Sequence, residues 1–273
     1  MAQELLEADY SFSNGERVQP NKFVATALLA RTYLFSGEWE NAEREATKLI
    51  ENIALYSLED DLNNVFLANS REAIWQLQPV IPGQNTWEAR FFINPPGNIP
   101  TIQSLTEQLV NTFEVGDHRK LHWVDTVMAD GTIFYHALKY KIDEDNEPVT
   151  EYSMVLRLAE QYLIRAEALA QQGNLMEAIA DVDAIRNRSG LPLVGDTNPS
   201  INQSDLLLVI EQERRLELFT EWGHRWFDLN RTNRANAVLS ALILKDWEPT
   251  DALYPIPLAE REVNSNLTQN DGY

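Results

Sequence analysis

The sequence contains no cysteine, which removes disulfides as a source of stability and thiolate zinc sites as a source of chemistry. Positive charge is also scarce. Lys and Arg number 22 against 42 Asp and Glu, giving a formal charge of -20, and such a chain repels both nucleic-acid backbones and anionic lipid heads. No run of residues is long and apolar enough to cross a bilayer, and Met1-Ala2-Gln3-Glu4-Leu5-Leu6-Glu7 lacks the basic start and apolar stretch of an export signal. Nothing points to a bound cofactor. With hydrophobic residues at 44% and charged residues at 23%, the 273 residues can bury a substantial core.

A distant internal repeat organises the chain. Residues 25–50 slide onto 161–186, so that Ala30 falls on Ala166, Gly37 on Gly173, Ala42 on Ala178 and Ala46 on Val182. Each copy reads as helix, Gly turn, helix. Ala27, Leu28, Ala30 and Leu34, then Ala42, Ala46, Leu49 and Ile50, recur at spacings of three and four, and small residues let two helices approach closely. Gly37 and Gly173 stand where the first helix stops, in the left-handed conformation only Gly adopts cheaply. The pattern predicts a mainly α fold of tetratricopeptide-like helix pairs, an α-α superhelix. A third unit begins at Ser204-Asp205, with Ser204 as N-cap, and runs to about Trp222-Gly223. A second helix then extends through Trp226 to about Leu244.

Between the first two pairs, residues 58–150 change character. Pro79, Pro82, Pro95, Pro96 and Pro100 interrupt the chain, and Ile74-Trp75-Gln76-Leu77-Gln78 alternates like a strand. Residues 132–136 and 139–141 read as short strands around a turn at Asp130-Gly131. We expect one domain over 1–273: a helix pair at about 21–56, a loop- and hairpin-rich insertion at 58–150, helix pairs at 151–190 and 204–245, and an extended tail at 246–273.

The third unit contains Glu213-Arg214-Arg215-Leu216-Glu217-Leu218 followed by Gly223-His224-Arg225-Trp226-Phe227-Asp228-Leu229 and Arg231. With Arg186-Asn187-Arg188-Ser189-Gly190-Leu191-Pro192, Tyr254-Pro255-Ile256-Pro257 and the closing Asn266-Leu267-Thr268-Gln269-Asn270, these strings resemble the SusD/RagB family. Residues 24–34 match that family's mid-chain helix pair, while Asp271 stands where a Pro is usual. The resemblance implies a non-catalytic surface lipoprotein of the outer membrane. Such a protein captures an oligosaccharide or other nutrient for a SusC-like TonB-dependent transporter, and attaches through a lipid on a Cys absent from this chain. It also implies a leader and earlier helices ahead of the matching region, so apolar surface is expected where those helices pack.

Candidate sites follow from residue chemistry. Glu211, Arg215, Glu217, Glu221, Arg225, Asp228 and Arg231 alternate in sign at helical spacing, which reads as an ion-pair network locking the last helix pair. Partnered carboxylates titrate in the wrong direction for a general acid, so a glycosidase is disfavoured. His118 and His122 stand four apart but lack a third metal ligand, and His224 reads as structural. Trp39, Trp222 and Trp226 are expected in the core. Trp87, Arg90, Phe91, Phe92 and Trp123 are the candidate carbohydrate site: aromatic faces match the C–H face of a pyranose, and the polar neighbours bond hydroxyls. The helix pairs alone would equally suit a scaffold that binds only a protein partner.

Overall fold

The computed structural model describes residues 2–97, 103–144, 148–242 and 246–273. They form two compact units, Met1–Thr220 and Glu221–Tyr273.

In the first unit, helix α1 (Lys22–Ser36) starts at Asn21, whose side chain accepts hydrogen bonds from the Phe23 and Val24 amides, so two of the orphan donors of the first turn are satisfied. It turns at Gly37 into α2 (Trp39–Ile50). Gly37 has φ +74° and Gly173 φ +84°, as the repeat predicts. Both hairpins close with the same bond, Glu38 N–H to the Tyr33 carbonyl and Asn174 N–H to that of Leu169, each 2.9 Å. Ala30, Leu34, Ala42 and Ala46 pack with Ile164 and Ala168, so the small residues of one hairpin seat against the next.

Strand β1 (Ala73–Leu77) leaves this hairpin, and a long excursion follows before the chain returns to it. The excursion holds α3 (Trp87–Phe92), α4 (His118–Trp123), β2 (Val124–Ala129) and β3 (Thr132–Ala137). β2 and β3 pair antiparallel from Val124↔Ala137 to Ala129↔Thr132, joined by the left-handed pair Asp130-Gly131 that suits a two-residue hairpin. Residues 139–141 form no strand, contrary to expectation. The partner of residues 132–137 precedes the turn, and Lys139 and Tyr140 point inward, the lysine Nζ donating to the Glu217 carbonyl at 2.7 Å. Strand β4 (Ser153–Arg157) pairs antiparallel with β1 and runs straight into α5 (Leu158–Gln171), which with α6 (Leu175–Arg188) forms the second hairpin.

Helix α7 (Gln203–Glu217) is capped by Asn202, whose side chain accepts from the Asp205 amide at 3.0 Å; Ser204 instead donates its hydroxyl to Asn202. The helix stops at Glu217, short of the expected Trp222. Thr220, Trp222 and Gly223 all take positive φ and break the helical path. In the second unit α8 (His224–Arg231) and α9 (Ala235–Leu239) replace one long helix, with Asn233 at φ +56° between them. The expected end at Leu244, like Pro100 in the insertion, lies outside the described residues. Trp222 is 49% exposed rather than core, and Trp226 is half-buried against Trp247 and Tyr254, ring centroids 6.1 and 5.5 Å away.

Candidate aromatic platform

Helix α3 is short but held at several points. Thr86 caps it, accepting from the Ala89 amide at 3.2 Å, and Ala89 is fully buried. Asn85, one residue earlier, accepts from the Thr150 and Glu151 amides at 3.0 and 3.1 Å and donates to the Pro148 carbonyl at 3.2 Å, tying the entry of the helix to the strand leading into β4. Glu88 accepts the Ser153 hydroxyl at 2.8 Å. One side of the helix is thus fixed to the β1–β4 ribbon.

Trp87 and Phe91, one turn apart and so on a common face, are 69% and 50% exposed. The Arg90 guanidinium lies 5.7 Å from the centroid of the Trp87 ring. Phe92 turns inward against the core, its ring edge-on to Phe91 at 5.3 Å, and so supports the outer ring. Four of the five candidate residues therefore belong to one helix, of which Trp87, Arg90 and Phe91 face outward or stand half-exposed.

Trp123 does not join them. It is fully buried, donates Nε1–H to the Leu62 carbonyl at 3.0 Å, and has the Lys139 ammonium 4.8 Å from its ring. A ring enclosed in this way has no face left for a sugar. The residues missed by sequence reasoning lie beside Trp87, where Leu77, Val80, Ile81 and Gln84 help line a hollow of about 190 Å³. The available sign was Val80-Ile81, an apolar pair between two prolines with no periodic partner; Val80 is 92% exposed.

Glu213 and Glu217 lie inside, and the arginines that bind them come from other elements rather than from their own helix. Arg157 binds Glu72 at 2.8 Å and Glu217 at 2.6 Å, and Arg188 binds both as well. Arg119 binds Asp117 and Glu213, each at 2.8 Å, and Arg186 binds Glu213 at 2.6 Å and Glu114 at 2.7 Å. These bonds join α4, β4, α6 and α7 across long stretches of sequence, whereas Asp228 and Arg231 pair locally at 2.8 Å. Burial alone would raise the Glu217 carboxyl, but Arg188, Arg157 and Arg119 overcome it and hold the group well below the usual glutamate range. It has no proton to give near neutrality. His118 and His122 share α4, with ring centroids 6.4 Å apart; no group of three metal-ligating side chains occurs among the described residues.

The model of the SusD family matches residues 131–273, more than half the chain. The chain belongs to the SusD family. One SusD-like protein of Formosa agariphila is 26% identical to it over 94% of this chain and 60% of its own length. A second from the same organism is 37% identical over 70% of this chain and 38% of its own length. The present chain thus spans less than two thirds of either relative. Surface glycan-binding protein A of Bacteroides uniformis shares the fold, with TM-score 0.77 at 19% identity over 98% of this chain and 65% of that one.

Proposed function

We propose that this SusD-family chain captures glycan at the surface of an outer membrane, without catalysis, and passes it to a SusC-like TonB-dependent transporter. The exposure of Trp87 and Phe91 on one face of a capped, anchored helix supports the reading most directly. Two apolar rings that folding leaves in water, offset along the helix by about 6 Å, offer a ledge for adjacent sugar rings. Family membership and the fold shared with the surface glycan-binding protein A of Bacteroides uniformis point the same way. No helix among the described residues is long and apolar enough to cross a membrane, and we attribute attachment to a lipid anchor. The Asp and Glu side chains of the family motif that are most deeply buried serve as structural counter-ions, which supports binding without bond cleavage.

A glycan array on the chain, followed by titration calorimetry, tests this. Wild type is expected to bind at least one oligosaccharide class, and Trp87→Ala and Phe91→Ala each weaken it about tenfold, the loss of a stacked ring. No reducing sugar is released. Capture of a β-barrel transporter from outer membranes with no affinity for any glycan would support the scaffold reading instead.

A further inference from the structure

The hollow beside Trp87 has a chemical character that the platform alone does not specify. Asp and Glu number 42 and Lys and Arg 22 in this chain, yet none of the described residues lining the hollow is charged. Leu77, Val80, Ile81 and Trp87 supply apolar wall, and Gln78, Gln84 and Asn85 supply amides. Asn85 is already committed to three backbone partners. Gln78 gives an amide hydrogen to the Tyr152 hydroxyl at 3.0 Å and keeps its carbonyl oxygen as an acceptor, and Gln84 stands half-buried with both kinds of group.

One carboxylate and one guanidinium stand behind this wall. Ser153 lines the hollow, and its hydroxyl donates to the Glu88 carboxylate at 2.8 Å. Arg90 is not among the lining residues; its guanidinium lies over the Trp87 ring. A carboxylate or sulfate entering the hollow would surrender water and find amides and apolar carbons, with no cation among the described lining residues to replace it. A hydroxyl loses little there, because an amide both donates to it and accepts from it.

We infer that the hollow beside Trp87 receives an uncharged sugar residue, so that the site selects neutral over anionic glycans. The inference rests on the platform reading and narrows it to a ligand class.

Calorimetric titration with neutral and uronate-containing oligosaccharides of matched length, at low and moderate salt, tests it on wild type, Trp87→Ala, Arg90→Gln and Gln84→Lys. Neutral ligands are expected to bind at least about tenfold more tightly than the uronates, with little dependence on salt or on Arg90. Gln84→Lys, which puts a cation in the hollow, narrows the ratio. Uronates that bind wild type as tightly as neutral ligands, and lose affinity with salt and in Arg90→Gln, overturn the selectivity while Trp87→Ala still upholds the platform. Neutral binding that survives Trp87→Ala unchanged overturns the platform itself, and silence from both ligand sets overturns both. Circular dichroism of each variant confirms the fold, which the exposure of Trp87 leaves undisturbed.

Discussion

Glu217 is stripped of water and surrounded by three guanidinium groups, so its free energy depends on all of them at once. Glu217→Ala takes from the buried Arg157 and Arg188 one of the two carboxylates they share, and is expected to cost about 3–5 kcal/mol in urea unfolding. Because its folded pKa is depressed, this carboxylate contributes fully at neutral pH. The contribution begins to fall as pH drops below about 4.3, where the unfolded chain takes up a proton that the folded chain does not. His136 acts in a different window. It is buried on β3, and its pKa is lowered by that burial, with Asp125 and Asp143 opposing. The folded state therefore prefers the neutral ring, and stability is lost as pH falls below about 6.5, where the unfolded chain protonates. Unfolding midpoints from pH 7 to pH 5 should decline for wild type and flatten for His136→Gln.

Elements depend on single positions where the backbone has no alternative. Gly190, after α6, has φ +72°, and a Cβ there would lie 2.5 Å from the His118 ring. The neighbouring Ser189 carbonyl accepts from the His118 amide at 2.9 Å, so the end of α6 and the start of α4 are one joint. Gly190→Ala is expected to cost at least about 1–2 kcal/mol from the left-handed backbone alone, and His118→Ala in the same chain should recover the steric part but not the backbone part. A double-mutant cycle of unfolding free energies separates the two. Helix α3 depends on its cap. Thr86→Ala should lower stability by about 1 kcal/mol, with a smaller loss of glycan affinity than Trp87→Ala, since Glu88 and Asn85 still anchor the helix.

Across the first unit, the buried ion pairs connect the insertion to the helical frame: Arg119 on α4 reaches α7, and Arg157 at the end of β4 reaches both β1's approach and α7. Native-state hydrogen exchange is expected to show β4, α5 and α7 opening together. In Glu217→Gln the β2–β3 hairpin should exchange ahead of them, and an unchanged order would count against the network as the link. The surface carries the remaining imbalance of a chain at -20. Raising salt from low levels toward 0.15 M should therefore stabilise the fold slightly by screening self-repulsion, while the buried pairs respond little.

The helical frame was legible in the residues because small side chains at helical spacing and a Gly after each first helix are local requirements of close antiparallel packing. The family was legible because its motifs are contiguous strings. Trp87, Arg90, Phe91 and Phe92 could be proposed from four positions within six residues, yet their division into outward and inward rings depended on a helix whose cap and anchors come from Thr86, Asn85 and Ser153. Trp123 looked equivalent to them in sequence and lies in the core, since burial is set by what folds over a residue. The partners of Glu217 were misread for the same reason. Spacing along a helix ranks nearby charges, but the arginines that reach this carboxylate come from β4, α6 and α4, brought together only when the chain closes on itself. The repeat, its turns and the excess of negative charge are local or additive and so can be read along the chain. Which rings meet water and which charges meet each other depends on segments distant in sequence, and so is set only when the chain folds back on itself.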